Sequence, residues 1–294
     1  MVLTDRSPRD MSDEEYVRTY VERYDSLATF LDAIERREVH PGWGRIDSDG
    51  RDDDEWYGGS SSFEDAVEKA KRGDRESASE FGKYMEEELS NFKARNSVNK
   101  PMVRNYFCGG SPNVTRAMMG LPRDMRQMHK VPQKVKTVEL TMCTSVACSV
   151  DASRVKRAGS KFLAIAELLE RDGYSVRLNV LNGADPRDEL GMLDGEEFGY
   201  TVAVKDYGEK LDVPKVAFML ANVGFFRRLG FRWLETWPHY RRESGRMSGY
   251  GWKYRDLVTR FRSYTAKHGG YVMDVAELAD MDVREWLDQN GFLA

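Results

Sequence analysis

Apolar residues recur along this chain in two rhythms, helical spacing in some stretches and a spacing of two in others, which together predict a mixed α/β protein. Near the start, Ser12 precedes Asp13, Glu14 and Glu15, a hydroxyl cap with a glutamate three positions on. Behind it Tyr16, Tyr20, Tyr24, Leu27, Leu31 and Ile34 follow at helical spacing, so one or two amphipathic helices are expected, with a break near Asp25 and Ser26. Trp56-Tyr57-Gly58-Gly59 and three serines lead into a helix ending near Gly73, and a further helix spans about 76–92 before Asn99-Lys100-Pro101 ends the run. Residues 103–107 read as a short strand. Ser111-Pro112 reads as the cap and first position of a helix through Met119, stopped by Gly120-Leu121-Pro122.

The clearest unit starts at Lys134. Over 135–143, Val138, Leu140 and Met142 share one face of a strand. After a serine-rich loop, Val155, Ala158, Gly159, Phe162, Ala166 and Leu169 occupy one arc of a helix, and the small residues suit close approach to a sheet. Asp172-Gly173 closes that helix, and 174–181 is a second strand. Strand, helix and strand with short connections form a parallel crossover unit. A loop over 182–197, a strand over 199–206, a helix over 214–228, a helix near 252–267, a strand at 271–273 and a helix near 283–290 complete the pattern. The expected architecture is a three-layer α/β domain over 131–294 preceded by a smaller, acidic, mainly helical region over 1–130.

Charge sharpens that division. Residues 1–99 hold 15 Lys+Arg against 25 Asp+Glu, whereas the remaining residues hold 30 against 24. Such asymmetry suits either two surfaces with different partners or a solubility device. The longest apolar runs fall well short of the roughly 20 residues that span a bilayer. The opening residues Met1-Val2-Leu3-Thr4-Asp5-Arg6 lack the order of a signal peptide, so no membrane partner and a cytoplasmic location are expected. Cys108, Cys143 and Cys148 match neither a disulfide framework nor a zinc pattern. The acidic loop Asp47-Ser48-Asp49-Gly50 reaches its glycine too early for a calcium loop, and the Gly109-Gly110 pair reads as a turn.

The order strand, serine-rich loop, helix, strand, strand, helix resembles the von Willebrand factor A fold over roughly 134–273. The resemblance implies a three-layer, Rossmann-like sheet, often with a divalent metal on an Asp-x-Ser-x-Ser loop. The matching positions are Ser145-Val146-Ala147-Cys148-Ser149, which lack the ligating aspartate and the middle serine, so no metal and no cofactor are expected. Trp56-Tyr57-Gly58-Gly59-Ser60 with Phe63-Glu64-Asp65-Ala66, Ser111-Pro112-Asn113-Val114, and Gly120-Leu121-Pro122-Arg123-Asp124-Met125 resemble uncharacterised proteins of tailed bacteriophages. That resemblance implies an origin, and a host-cell cytoplasmic location, rather than a mechanism.

Candidate chemistry is sparse. His40, His129, His239 and His268 are far apart and carry no metalloprotease or thiol-histidine signature, so no catalytic residues are assigned. The most distinctive stretch is 225–264, with ten Lys+Arg against three Asp+Glu and many aromatic rings. Guanidinium groups follow a phosphate backbone and flat rings stack on unpaired bases. On that logic Arg227, Arg228, Arg232, Arg241, Arg242 and Arg246 are the candidate phosphate contacts, with Trp237, Tyr240 and Trp252 as stacking platforms. Tyr250, Tyr254, Leu257, Phe261 and Tyr264 fall in one helical arc and read as core. The expected function is a non-enzymatic, phage-type accessory protein that binds single-stranded nucleic acid and recruits or regulates another factor. A protein-interaction module of a phage assembly or host-takeover complex, and an undetected enzyme, stay open beside it.

Overall fold

A computed structural model describes residues 2–3, 18–39, 56–90, 92, 102–108, 111–129, 136–147, 149–184, 196–236 and 255–292. Its elements in chain order are β1 (Val2–Leu3), β2 (Arg18–Tyr24), α1 (Leu27–Arg36), α2 (Phe63–Arg72), α3 (Arg75–Ser90), β3 (Met102–Tyr106), β4 (Ser111–Pro112), α4 (Val114–Met118) and β5 (Met125–His129). There follow β6 (Lys136–Cys143), α5 (Ala152–Arg171), β7 (Tyr174–Ala184), β8 (Glu196–Lys205), α6 (Val213–Ala221), a π-helix (Phe225–Gly230) and α7 (Phe231–Glu235). Last come α8 (Arg255–Ala266), β9 (Gly270–Asp274), α9 (Val275–Asp280) and α10 (Val283–Gln289). The six-stranded sheet runs β1-β2-β8-β7-β6-β9, and β3-β5-β4 form a small separate sheet. β6 pairs parallel to both β7 and β9, and β2 pairs parallel to β8, whereas β7 with β8 and β1 with β2 are antiparallel. The fold is thus α/β with a mostly parallel, Rossmann-like sheet and helices around it.

The central unit forms as its pattern predicts: β6, α5 and β7 are consecutive, and β6 and β7 are parallel neighbours. The first stretch differs. Residues 18–24 are a strand rather than a helix, because Tyr20, Val21 and Tyr24 have high β propensity and every residue of β2 registers with β8, from Arg18 with Glu196 to Tyr24 with Val202. The helix begins only after the Ser26 cap, whose hydroxyl accepts from the Thr29 backbone amide. Ser12 lies outside the described residues. This strand also removes the expected boundary at 130/131. β2 belongs to the same sheet as β6–β9, and Phe30, Phe63 and Phe81 are buried in the same core as Phe162 and Phe218.

Two other expectations shift. Ser111 and Pro112 form a strand, and α4 takes its cap from Asn113, whose side chain accepts from the Arg116 amide. The helix expected over 214–228 ends at Ala221 and is interrupted at Asn222, then resumes at Val223 and Gly224 and runs on through the π-helix into α7. Asn222 is the reason for the interruption. Its carbonyl oxygen accepts from the Gly224 amide at 2.7 Å and its amide donates to the Gly58 carbonyl at 3.0 Å and to Asp74 at 3.2 Å, an alternative that competes with the helical ladder.

At the β2 side of the sheet, Glu22 gathers three donors. Arg37 reaches it at 2.5 and 3.0 Å, Tyr24 at 2.7 Å and Trp233 Nε1 at 3.1 Å. Burial raises the carboxyl pKa, but hydrogen bonds from Arg37 and Tyr24 and the Arg37 charge outweigh it and hold Glu22 below the usual carboxylate range. A depressed folded-state pKa contributes stability that is present above the unfolded value, roughly 4.3, and is lost as pH falls through the folded value. Urea unfolding as a function of pH is therefore expected to show a shallower acid-side loss of stability for Glu22→Gln than for the parent chain. Equal slopes would show that this cluster does not couple to folding.

Candidate functional site

The two faces of the sheet differ in chemistry. Val138, Leu140 and Met142 of β6, Val176, Leu178 and Val180 of β7, and Tyr200 and Val202 of β8 are buried on the face that carries α5 and α6. The alternate positions point the other way and mix polar with apolar residues: Glu139, Thr141 and Cys143 on β6, Arg177, Asn179 and Leu181 on β7, Thr201 and Ala203 on β8, Val21 and Arg23 on β2. Register sets them side by side, Glu139 opposite Arg177, Thr141 opposite Asn179, and Thr201 opposite Arg23. A parallel sheet covered on both faces by apolar layers reads as near-continuous hydrophobic strands. Here the middle of one face, at Glu139, Thr141, Asn179 and Thr201, is polar.

α8 crosses that face and encloses a cavity of about 250 Å³ lined by Arg23, Glu139, Asn179, Thr201, Phe261, Tyr264, Thr265 and His268. Its floor is ordered from within. Asn179, buried, donates to Glu139 Oε1 at 2.6 Å, with Thr141 Oγ1 at 3.5 Å. The Tyr264 and His268 rings lie 4.9 Å apart on the α8 side. Arg23 and Arg177 share Asp25, at 3.6 and 3.5 Å, and the buried Arg177 Nε faces Asp206 at 3.9 Å without a hydrogen bond. An unpaired buried donor costs about 1–3 kcal/mol. Carboxylate and amide acceptors on the floor, aromatic walls and cations at one end suit a flat, polar guest with hydrogen-bonding edges. Strand periodicity held the signal for this site: Thr137, Glu139, Thr141 and Arg177, Asn179 alternate with the apolar residues that identified the strands.

The predicted phosphate contacts lie elsewhere. Arg227 and Arg228 are buried and face inward, onto the Trp56–Ser61 turn. Arg227 donates to the Trp56 carbonyl at 2.6 Å and the Val150 carbonyl at 3.2 Å, with its guanidinium 4.5 Å from the Trp56 ring centroid. Arg228 donates to the carbonyls of Ser60 at 3.1 Å and Ser61 at 2.9 Å and sits 3.4 Å from the Tyr57 ring centroid. Arg232 is 5.1 Å from the Phe63 ring and 4.0 Å from Glu235, and only 12% of its side chain is exposed. The cation-on-ring chemistry is real but internal: these arginines clamp the turn that the Trp56-Tyr57-Gly58-Gly59-Ser60 motif forms. Their neighbours explain it. Phe225, Phe226, Leu229, Phe231 and Trp233 drive the whole segment into the core, and the arginines carried in with them are satisfied by turn carbonyls. Trp237, Tyr240, Arg241, Arg242, Arg246 and Trp252 lie outside the described residues.

At the carboxyl ends of β6 and β9 a second, more apolar cavity of about 210 Å³ is lined by Cys143, Ser145, Val146, Val150, Val258 and Asp274 among others. Ser145, the hydroxyl at the first serine position of the resemblance, donates to Asn182 Oδ1 at 2.5 Å and accepts from the Gly183 amide at 3.1 Å. It is committed to bracing β7. Among the described residues no three His, Cys, Asp or Glu side chains converge in a metal-binding group, and no helix is long and apolar enough to cross a membrane.

A family model described as "Domain of unknown function (DUF7192)" matches residues 7–287. No curated protein and no solved structure matches the chain.

Proposed function

The chain belongs to the family described as Domain of unknown function (DUF7192), and we propose that it is a non-enzymatic binder of single-stranded nucleic acid that holds one unpaired base in the cavity beneath α8. The observation that carries this reading is the cavity's chemistry: Asn179 and Glu139 offer hydrogen-bonding edges, and Phe261 and Tyr264 offer ring faces, in one space. Proteins that read single strands splay bases onto aromatic side chains and bond their edges. The segment 237–254, with Arg241, Arg242, Arg246 and Lys253 against Glu243, joins directly to the helix that roofs the cavity and supplies the phosphate contacts. Arg227, Arg228 and Arg232 take no part. Strand order β8-β7-β6-β9, with antiparallel β8 and a serine-rich turn after β6, supports a von Willebrand A-like reading of the architecture. The tailed-phage resemblance suits an accessory role of this kind. A protein-interaction role is the second reading, favoured by apolar side chains exposed over 107–121.

The test is anisotropy of labelled single-stranded DNA, RNA and duplex across a salt titration. Single strands are expected to bind, with affinity falling as salt rises. Arg241→Ala with Arg242→Ala should reduce the salt slope by roughly 1.4, from about 0.7 per phosphate contact. Tyr264→Ala should weaken binding by about 1–3 kcal/mol through lost stacking. Because the floor presents acceptors, oligomers of cytidine or adenosine, which bring amino donors, should outcompete oligouridine. Absence of binding at low salt, or full affinity in the Tyr264 variant, would overturn the reading.

A further inference from the structure

The floor of the cavity beneath α8 is a set of hydrogen-bond acceptors. The Asn179 amide donates to Glu139 Oε1 at 2.6 Å and to Thr141 Oγ1 at 3.5 Å. An ionised carboxylate only accepts, so the first of these bonds fixes which way the Asn179 amide is turned and leaves its carbonyl oxygen as an acceptor. Among the described residues Glu139 Oε2 takes no hydrogen bond, and no Lys, Arg or His pairs with the carboxylate; Arg23 and Arg177 pair with Asp25 and Asp206 instead. Each carboxylate oxygen holds about two acceptor sites, so Oε1 can take a second donor beside Asn179. A half-buried carboxylate thus lines the cavity with both oxygens able to accept.

A pair of acceptors selects a guest with two adjacent donors. Among the bases guanine alone has them: its ring N1–H and its 2-amino group lie side by side and reach both oxygens of one carboxylate, as the fork of an arginine does. Adenine and cytosine place a ring-nitrogen lone pair beside their amino group, and uracil and thymine set a carbonyl on each side of their one N–H. Each of these turns an acceptor toward the carboxylate. An arginine side chain offers the same two donors, but the cavity disfavours it. Two of its walls are flat rings, Phe261 and Tyr264 with centroids 6.1 Å apart, which suit a stacked base. Arg23 also lines the space, where it repels a cation and attracts a phosphate.

We propose that Glu139 selects guanine as the base held beneath α8, accepting from N1–H and the 2-amino group while Phe261 and Tyr264 cover the ring. The inference rests on the single-strand reading above and adds the identity of the base. Amino donors set the coarser ranking given there, and the second donor places guanine above adenine and cytosine.

Anisotropy of a labelled oligothymidine carrying one central guanine, hypoxanthine or adenine tests it on the full chain. Hypoxanthine is guanine without the 2-amino group, so the exchange removes one bond to a charged acceptor and leaves the ring to stack as before. The guanine strand is expected to bind about tenfold more tightly than the hypoxanthine strand, and at least as far above the adenine strand. Glu139→Gln replaces two acceptors by one acceptor and one donor, the edge that adenine matches. Guanine should then lose at least about tenfold, and adenine should overtake it. A merely structural role for Glu139 would weaken every strand alike and keep their order, which overturns the proposal. Equal binding of the guanine and hypoxanthine strands to the parent chain also overturns it, needs no variant to fold, and leaves the single-strand reading standing. Failure of every strand to bind at low salt removes both. Displacement of the strands by an arginine-bearing peptide, with no preference among the bases, overturns the proposal in favour of a protein partner.

Discussion

Arg228→Ala is expected to lower the unfolding free energy by about 3–5 kcal/mol, the size expected when a large buried side chain is lost together with its hydrogen bonds. The guanidinium is fully buried, donates to two successive carbonyls of the Ser60–Ser61 turn and sits 3.4 Å over the centre of the Tyr57 ring. Alanine strands those acceptors, at about 1–3 kcal/mol each where water cannot replace the donor, and removes a desolvated cation–π contact worth about 2 kcal/mol. Lysine does not repair the loss, because a point-like ammonium cannot serve two carbonyls and a ring face at once. Urea unfolding of the alanine and lysine variants measures both effects, and both should be strongly destabilised. Arg232→Ala should cost less, since its side chain is partly exposed and its acid stands 4.0 Å away. The opposite pattern, stable Arg227 and Arg228 variants with weakened nucleic-acid binding, would return these residues to the surface role that composition suggested.

Why composition misled at these positions is instructive. In 225–233 the arginines alternate with phenylalanine, leucine and tryptophan, and the apolar members determine where the segment goes. Once Phe225, Phe231 and Trp233 are buried, the arginines between them follow, and each needs acceptors. The Trp56–Ser62 turn provides them, 165 or more positions away, a separation over which periodicity carries no information. The β6–α5–β7 unit was legible because its elements are long, regular and adjacent. β2 was not, because Tyr20, Tyr24, Leu27 and Leu31 satisfy a helical spacing while the strand pairing that wins comes from β8, far along the chain. The cavity beneath α8 was half-legible. Apolar positions of β6 and β7 located the strands, and the polar alternates marked the part of the opposite face that lies beneath Phe261 and Tyr264 of α8.

Gly159→Val is expected to destabilise the chain by about 3 kcal/mol or more, through the contact between α5 and α6. The small residues of α5 suggested close approach to a sheet, yet Gly159 meets a helix: a Cβ there would stand 2.7 Å from the Leu220 carbonyl oxygen and 3.0 Å from its carbon. Backbone on the far side cannot turn away as a flexible side chain does. For Gly159→Ala two effects oppose. Alanine improves helix propensity by about 1 kcal/mol, while overpacking costs about 1–3 kcal/mol. The clash should win, leaving alanine modestly destabilising. Valine adds two methyl groups to the same gap, and its stiff χ1 leaves little freedom to direct them elsewhere. Gly173→Ala separates space from backbone geometry, since its φ is +88° but nothing stands within 4 Å of an added Cβ. That change should cost only about 1–2 kcal/mol of left-handed strain. Chemical unfolding of the three variants should therefore rank Gly159→Val far below the other two, and a Gly159→Val chain as stable as Gly173→Ala would mean that α5 and α6 can separate without loss.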